Sequence, residues 1–317
     1  MNMNHGTVKI FSGNSCPKLA KAIADRLGLR LGDCEVSRFS DGEVCVNIKE
    51  SVRGCDVFVI QSTSTPVNDN LMELLVMIDA LRRASCGNLT VVMPYFGYAR
   101  QDRKARARDP ITAKLVANML EAAGADRVLT MDLHSTQLQG FFDIPVDNLF
   151  GMPVLARYFK QNGYQNDDLV IVSPDVGSVA RSRSMAARFN APLAIIDKRR
   201  PKANVMEVMN IIGDIEGKTC LMLDDMIDTA GTITQGAAAL KANGAKEVVA
   251  CCSHGVLSGP AIKRLNESAI SQVVILDTIQ QPEQLGCDKI VQVTVADVFA
   301  SAIERIYSHE SISILFE

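Results

Sequence analysis

Short runs of aliphatic and β-branched residues alternate along the chain with longer segments whose apolar residues recur at helical spacing. The short runs predict strands, which cover residues 7–11, 56–62, 89–94, 127–133, 168–174, 193–197, 219–225, 247–253, 272–276 and 290–295. The longer segments predict helices near residues 15–27, 68–85, 110–123, 150–162, 177–189, 231–243, 258–267 and 296–307. Four of these helix candidates are followed by a glycine, at positions 28, 124, 163 and 244, where a helix commonly ends.

This alternation predicts an α/β fold built from right-handed βαβ units, with mainly parallel central sheets flanked by helices. The pattern restarts within "FFDIPVDNLFGMP" at residues 141–153. We therefore expect two similar domains, residues 1–148 and 149–317, although no internal repeat is obvious by eye.

Composition limits the classes of function. The 317 residues are 47% hydrophobic, and Lys+Arg 33 against Asp+Glu 36 gives a net charge of −3, so no overall basic field indicates nucleic acid as a partner. The start of the chain has no signal-peptide pattern and no apolar run of 18 residues occurs, which predicts no membrane association. Nine cysteines without C-x-x-C spacing are typical of a reducing compartment. We expect a cytoplasmic protein.

Ligands of parallel sheets bind beyond the carboxyl ends of the strands, so the polar segments that follow strands are the candidates for chemistry. The segment "GDIEGKT" (213–219) looks like a nucleotide-binding loop. Its glycine spacing is one residue short, however, and it precedes a predicted strand instead of following one. The candidate segments are "SGN", "PYFGYARQDRK", "DLHS", "SPDVGS", "DKRRPK" and "DDMIDTAGT".

The last of these segments joins a predicted strand to a predicted helix by a tight turn. Backbone amides, threonine hydroxyls and the helix dipole at such a turn form a pocket for a phosphate monoester. The two carboxylates before the turn can accept hydrogen bonds from sugar hydroxyls. An ordinary helix cap with Asp228 as N-cap explains the turn equally well. The residues concerned are Asp224, Asp225, Asp228, Thr229, Ala230, Gly231 and Thr232.

"LMLDDMIDTAGT" resembles the phosphoribosyl diphosphate motif of type I phosphoribosyltransferases and ribose-phosphate diphosphokinases. Five further segments, at 39–62, 94–104, 131–149, 197–218 and 311–316, resemble the diphosphokinases in order and spacing. The resemblance covers essentially the whole chain and implies two phosphoribosyltransferase-like domains. It also implies transfer of the β,γ-diphosphoryl group of MgATP to the anomeric hydroxyl of ribose 5-phosphate, giving phosphoribosyl diphosphate and AMP.

The resemblance assigns the ATP site to two segments. "FSDGE", contributed by a neighbouring subunit, holds the adenine end, and Arg100 and Gln101 contact ATP. Both segments have another interpretation, since "FSDGE" is also a plausible polar hairpin turn and the +3 run at 99–109 is typical of a solvated face. The residues assigned in the first segment are Phe39, Asp41, Gly42 and Glu43.

His134 and Asp175 match positions that are magnesium ligands in the family, and the implied cofactor is Mg²⁺. Because magnesium prefers oxygen ligands and water, the contact of His134 can be partly indirect. Asp132 lies beside the histidine, and Asp143 and Asp147 match the acidic signature but are also plausible turn residues.

Lys198 and Arg200 match the mobile catalytic loop of the family. Diphosphoryl transfer depends mainly on positioning and charge neutralisation. We assign Lys198 to the bridging and β-phosphoryl oxygens and Arg200 to the charge that develops in the transition state, although such a basic segment is ordinarily solvated surface. No residue is a convincing general base.

"SPDVGSVARSRSMA" (173–186) departs from the family, whose diphosphate turn has two successive glycines. Ser178 replaces the second glycine. A serine there is strained if the position requires a positive φ angle, and a helix N-cap serine is the other interpretation. Arg181 remains available for a diphosphate.

The resemblance also implies a homohexamer that phosphate and ADP regulate at subunit interfaces, through Ser51, Arg53, Ser311 and Ser313. Two other functions stay open. A phosphoribosyltransferase shares the sugar-phosphate loop but has no use for the ATP and catalytic-loop segments. A regulatory homologue without activity would not need the retained Lys198, Arg200 and His134.

Overall fold

The computed structural model describes residues 8–165, 167–199 and 208–316. Contacts between Cα atoms divide the chain into two compact units. Unit 1 comprises Met1–Phe150, Thr278–Gln280 and Thr294–Glu317, and unit 2 comprises Gly151–Asp277 and Gln281–Val293. The C-terminal segment therefore groups with unit 1.

Unit 1 contains a five-stranded parallel sheet and a separate hairpin. Its strands are β1 Val8–Ser12, β2 Cys34–Arg38, β3 Val44–Ile48, β4 Asp56–Ile60, β5 Leu89–Met93, β6 Arg127–Met131 and β7 Val146–Leu149. Its first three helices are α1 Pro17–Arg26, α2 Val67–Arg83 and α3 Thr112–Ala123, with a 3-10 turn at Thr136–Phe141. The sheet order is β1-β4-β5-β6-β7, with every neighbouring pair parallel, while β2 and β3 pair antiparallel.

Unit 2 contains a seven-stranded sheet in the order β10-β9-β8-β11-β12-β13-β14. Its strands are β8 Leu169–Ser173, β9 Leu193–Arg199, β10 Val208–Ile212, β11 Thr219–Ile227, β12 Glu247–Gly255, β13 Gln272–Leu276 and β14 Ile290–Val293. Its helices are α4 Met152–Gln161, α5 Val179–Phe189, α6 Gly231–Ala242 and α7 Ala261–Glu267. Helix α8 Ala296–Tyr307 and the 3-10 turn Ser313–Phe316 belong to unit 1. Only β10, at one edge, runs antiparallel to its neighbour.

The central strands read as continuous apolar runs because helices cover their faces. All five residues of β5 and of β8 are buried; β5 is the middle strand of its sheet, and β8 has a neighbour on each side. Helix α3 ends at Gly124, whose φ angle of 114° is accessible at little cost only to glycine. The four glycines predicted to end helices all have positive φ angles, so that prediction is confirmed.

The order of strands in unit 2 reverses at β8. The chain leaves β8 through α5 to β9 on one side, whereas β11 pairs with β8 on its other side. Open α/β sheets bind ligands at such a reversal, in the crevice outside the carboxyl ends of the strands. The loops that follow β8 and β11 are therefore the expected place for a ligand in unit 2, whereas the main sheet of unit 1 follows chain order throughout.

All ten predicted strands and all eight predicted helices have counterparts in the structure. Four strands, β2, β3, β7 and β10, were not predicted. β2 and β3 contain only half-buried and exposed residues and so lack a buried run, and β7 has only four residues. In the described part of the chain, no helix has the length and apolar character needed to cross a membrane.

Candidate active site

The turn between β11 and α6 is tighter than the sequence indicates. β11 extends to Ile227 and α6 begins at Gly231, so only three residues connect them. Ala230 precedes the helix with φ 58° and ψ 8°, and no side chain caps the helix. The alternative in which Asp228 is the N-cap is therefore wrong. The first amides of a helix have no intrahelical acceptor, and together with the helix dipole they favour an anion.

Residues of the β12–α7 connection and of α7 itself support this turn through hydrogen bonds. The Ser258 hydroxyl donates to Asp228 Oδ1, and the Ser258 amide donates to the Asp228 carbonyl at 3.0 Å. Arg264 Nη1 donates to the Thr229 carbonyl at 2.9 Å. A Cβ atom added to Gly231 would lie 3.2 Å from Arg264 Nη1, so a side chain at that position would press on the guanidinium. These contacts fix a backbone that contains a non-glycine residue at positive φ.

Asp224 and Asp225 follow the five continuously buried residues that begin β11. Asp225 is buried, and its carboxylate lies 3.5 Å from Arg181 Nη1 of α5. Asp224 is half-buried, and its Oδ1 accepts the Asp225 amide at 2.9 Å. Burial, followed by the adjacent charge of Asp225, raises the pKa of Asp224 to about 7. Two carboxylates held this close are costly without a ligand or proton, which indicates a binding role.

The loop after β8 brings Ser178 to the same acid pair. The Ser178 hydroxyl donates to Asp224 Oδ1 at 2.9 Å, and its amide donates to Asp175 Oδ1, also at 2.9 Å. Ser178 has φ −88° and its side chain makes no cap hydrogen bond to α5. The position therefore does not require a positive φ, and the serine is not strained. Ser178 does occupy the N-cap position of α5, as the other interpretation states, but its hydroxyl bonds across to β11 and does not cap the helix.

The predicted catalytic loop is only partly covered by the structure. The backbone of Lys198 lies in β9 and pairs with Met209 of β10, so the strand extends two residues beyond its predicted end at 197. Arg200 lies outside the described residues. The segment "GDIEGKT" connects the end of β10 to the start of β11, which agrees with its rejection as a nucleotide loop.

The "FSDGE" segment of unit 1 is the turn of the β2–β3 hairpin. The Phe39 amide donates to the Glu43 carbonyl at 2.8 Å, and the Gly42 amide donates to the Phe39 carbonyl at 2.9 Å. Asp41 Oδ1 accepts the Glu43 amide at 3.1 Å, and Gly42 has φ 96°. The hairpin interpretation is therefore confirmed. Phe39 is 57% exposed at the tip of the hairpin.

Arg100 and Gln101 follow β5 and are exposed. Gln101 contacts the first turn of α3, because its backbone carbonyl accepts the Ala113 amide at 3.2 Å. His134 follows β6 and is also exposed, whereas Asp132 beside it is buried with φ 41°.

The two further acidic matches of unit 1 have structural partners. Asp147 lies in β7 and pairs with Arg127 Nη1 at 2.6 Å. The Asp143 amide donates to Glu121 Oε1 at 2.6 Å. Across the described ranges, no three His, Cys, Asp or Glu side chains are grouped so that they could hold a metal ion. Neither Asp175, in unit 2, nor His134, in unit 1, belongs to such a group among the described residues.

The four predicted regulatory residues are exposed in unit 1. Ser51 and Arg53 follow β3. Ser311 and Ser313 follow α8, with their hydroxyl oxygens 2.7 Å apart, and Arg305 Nη1 donates to the Ser311 carbonyl at 3.0 Å.

A cavity of about 190 Å³ in unit 1 lies at the other end of the strands from Arg100, Gln101 and His134, which follow the carboxyl ends of β5 and β6. Residues at the amino ends of β4, β5 and β6 line it, with the end of α8. Its polar side chains already bond to protein groups, as Asn88 Nδ2 does to Asp56 Oδ1 at 2.6 Å. The cavity contains none of the predicted site residues, so it does not mark the candidate active site.

Comparison with known proteins gives matches along the whole chain. Residues 8–124 match the family described as the N-terminal domain of ribose phosphate pyrophosphokinase, and residues 200–317 match a phosphoribosyl synthetase-associated domain. The chain is 63% identical to a ribose-phosphate pyrophosphokinase of Clostridium perfringens over 99% of both chains. It is 61% identical to one of Bacillus caldolyticus over 98% of both chains.

A solved structure gives the same result for the fold. The crystal structure of phosphoribosylpyrophosphate synthetase from Mycobacterium smegmatis superposes with a TM-score of 0.91 at 40% identity. The match covers 96% of this chain and 99% of the other. The α/β fold with a mainly parallel sheet in each half is therefore that of a solved synthetase.

Proposed function

The chain belongs to the ribose-phosphate pyrophosphokinase family, and on that premise we propose that it transfers the β,γ-diphosphoryl group of ATP to the anomeric hydroxyl of ribose 5-phosphate. The products are 5-phosphoribosyl 1-diphosphate and AMP. The observation that carries the proposal is the position of the β11–α6 turn and the Asp224–Asp225 pair beside the strand-order reversal of unit 2.

The carboxylates lie close to an anion site because ribose 5-phosphate has two kinds of group to bind, the hydroxyls of its sugar and its phosphate. The 5-phosphate binds at the amino end of α6, to the amides and hydroxyls of Thr229, Ala230, Gly231 and Thr232. Asp224 and Asp225 accept hydrogen bonds from the ribose hydroxyls, which are strong because the acceptors are charged. Asp228 stays on the protein side of the turn, where Ser258 bonds to it.

Lys198 and Arg200 neutralise the negative charge of the phosphoryl groups during the reaction. Lys198 contacts the bridging and β-phosphoryl oxygens of ATP, and Arg200 stabilises the charge that develops as the diphosphoryl group leaves AMP. Such contacts accelerate a reaction only when they are stronger in the transition state than in the ground state. The acceptor hydroxyl attacks in line when the two substrates are aligned.

The donors suit magnesium better than a softer metal. Asp175 supplies a carboxylate at the carboxyl end of β8 in unit 2, and His134 of unit 1 matches the other magnesium position of the family. Mg²⁺ typically takes one or two protein carboxylates and the oxygens of substrate phosphates, and the carboxylate of Asp175 fits that preference. When bound, the ion neutralises phosphoryl charge on ATP.

Phe39, Asp41, Gly42 and Glu43 bind the adenine end of ATP, contributed from a neighbouring subunit, and Arg100 and Gln101 contact its phosphates. We assign the functional assembly as a homohexamer in the cytoplasm. Phosphate and ADP are its effectors, and Ser51, Arg53, Ser311 and Ser313 form the regulatory anion site. The support for these assignments is the match of motifs, together with the exposure of every one of these side chains in unit 1 other than the mainly backbone contribution of Gly42.

Phosphorus NMR of the protein with MgATP and ribose 5-phosphate tests the reaction. We expect resonances of AMP and of phosphoribosyl diphosphate to grow together. Ribose without its phosphate serves as the matched control substrate and should react far more slowly, because it cannot use the α6 site. Formation of ADP would indicate a simple kinase, and the absence of turnover would indicate a regulatory homologue; either result contradicts the proposal.

A further inference from the structure

Ser178 makes two hydrogen bonds that link β8 and β11 in unit 2. Its amide bonds to Asp175 within the β8–α5 loop, and its hydroxyl bonds to Asp224 on the neighbouring strand. The loop and the acid pair are 46 residues apart in sequence, so this side chain is a direct tie between them. A glycine or alanine at this position could form only the first of the two bonds.

Neither general explanation of a serine here accounts for its side chain. Its φ of −88° is open to any residue, and its hydroxyl does not cap α5. By contrast, Ser184 on the same helix bonds to the carbonyl of Ala180 at 3.3 Å, one turn earlier, as helical serines commonly do. The contact with Asp224 is thus the specific contribution of the Ser178 hydroxyl.

The bond fixes one oxygen of Asp224. Oδ1 accepts both the Ser178 hydroxyl and the Asp225 amide, each at 2.9 Å. Two donors on the same oxygen hold the carboxyl group in one rotation, which a terminal carboxylate torsion would otherwise sample broadly. Among the charged neighbours of Asp224, Asp225 and Asp175 disfavour its charged form, and Arg181 pairs with Asp225.

We propose that Ser178 is a positioning residue for ribose 5-phosphate, whose hydroxyl holds the Asp224 carboxylate in the orientation that accepts the ribose hydroxyls. This inference rests on the proposed function of the acid pair. Ser178 itself does not touch the reacting atoms. Its role is specific to the sugar substrate, so removal of the hydroxyl should affect ribose 5-phosphate and leave ATP binding unchanged.

The test compares Ser178→Ala, Ser178→Gly and Ser178→Thr with the unmutated protein, and uses Ser184→Ala as the matched control on the same helix. Calorimetric titration with ribose 5-phosphate measures binding without turnover. A hydrogen bond to a charged group contributes enough that its loss should raise the ribose 5-phosphate Kd about three- to tenfold. We expect this increase for the alanine and glycine variants, partial recovery for threonine, and no change for Ser184→Ala.

The KM values provide the readout that a purely structural role would not give. The KM for ribose 5-phosphate should rise with its Kd, whereas the KM for ATP and the Tm stay near those of the unmutated protein. Equal affinity in all variants, or a parallel loss for ATP and ribose 5-phosphate, overturns the inference. If the unmutated protein binds ribose 5-phosphate but makes no AMP, the proposed function fails while the titrations still decide the role of Ser178. If it does not bind ribose 5-phosphate, both fail.

Discussion

The candidate residues of the two units differ in how far the protein itself organises them. In unit 2, side chains from four segments bond to one another around the β8 and β11 ends: Ser178 to Asp224, Arg181 to Asp225, and Ser258 to Asp228. In unit 1, Phe39, Arg100 and His134 are exposed on three separate loops. The site proposed for the sugar phosphate is therefore held together by contacts within the protein, whereas the residues proposed for the nucleotide are exposed side chains on separate loops.

The difference has an energetic reason. Two adjacent, partly buried carboxylates repel each other and need fixed hydrogen-bond donors to keep their positions. A basic or aromatic side chain that meets a nucleotide can instead remain solvated until the ligand orders it, at a cost in binding entropy. Substitutions of the carboxylates in unit 2 should thus change both stability and binding, while substitutions at the exposed residues of unit 1 should change binding alone.

The largest effect is expected for Lys198→Ala. Removal of a preorganised charge that acts on the transition state should lower kcat by about 100- to 1000-fold. Because the contact is weak in the ground state, the KM values for both substrates should stay within a few-fold. Steady-state kinetics measure this, with Lys218→Ala as control, since Lys218 pairs with Asp168 before β11 starts. A normal kcat with a much higher ATP KM would show a ground-state anchor instead.

Asp224→Asn tests the acid pair and separates binding from stability. The amide cannot act as a charged acceptor, so ribose 5-phosphate affinity should fall about tenfold or more while ATP affinity is kept. Titration calorimetry measures both ligands. Asp168→Asn, at an exposed carboxylate before β8, is the matched control, and an unchanged ribose 5-phosphate Kd would contradict the assignment.

The same variant should be more stable than the unmutated protein at neutral pH. The pKa of Asp224 is raised from 3.8 to about 7, first by burial and then by Asp225, so the folded state binds a proton that the unfolded state releases. Stability without ligand is then highest at low pH in this window and falls as pH rises from about 4 to about 7. We expect Asp224→Asn to raise Tm at pH 8 in EDTA, with a smaller gain at pH 5.

The sequence predicted the tight turn between β11 and α6 because its whole signal lies within 12 consecutive residues. It missed Ser258 and Arg264, which lie far downstream and reach the turn only because β12 pairs beside β11. The bond between Ser178 and Asp224 was missed for the same reason. Composition and spacing report which segments lie at strand ends; they do not report which side chains meet across neighbouring strands.

The predictions of strands and helix ends are limited in the same way, because they too rest on local side-chain patterns. Strands buried on both faces were found because apolar runs are visible locally. The strands β2 and β3 were missed because they are half exposed, although the turn between them was recognised as a possible hairpin. Asp228 was assigned as a possible N-cap because Ala230 in a left-handed conformation has no local signal. Side-chain patterns thus predict the sheet well and the backbone of its tight turns poorly.

Phe39→Ala tests the exposed side of the comparison. An aromatic ring stacked on a base contributes about 1–3 kcal/mol, so the ATP KM should rise roughly tenfold, with kcat at saturation and the ribose 5-phosphate KM little changed. The Tm should not fall, because the ring is 57% exposed. Leu115→Ala, at another exposed apolar residue of unit 1, is the control. A loss of stability with a normal ATP KM would show that the ring belongs to an interface or the fold and not to the nucleotide site.

The smallest effect is expected for Arg264→Met, which removes the bond from Nη1 to the Thr229 carbonyl and keeps the length of the side chain. Arg264 is exposed, so water can replace part of the bond, yet the turn also holds Ala230 at a φ of 58°, a conformation that a non-glycine residue adopts at some cost. A looser turn should raise the Kd for ribose 5-phosphate about threefold, consistent with the modest net energy of an exposed hydrogen bond.

Calorimetry at two salt concentrations distinguishes support of the turn from direct binding of the phosphate. If Arg264 acts only through Thr229, the ratio of Kd values for Arg264→Met and the unmutated protein should be nearly independent of salt, because the guanidinium does not pair with the ligand. Lys263→Met on the same helix, whose partner is Glu267 at 4.0 Å, should leave the Kd unchanged. A loss well above tenfold that shrinks in high salt would instead make Arg264 a phosphate ligand, and the unit 2 site would then include a cation that reaches the substrate from α7.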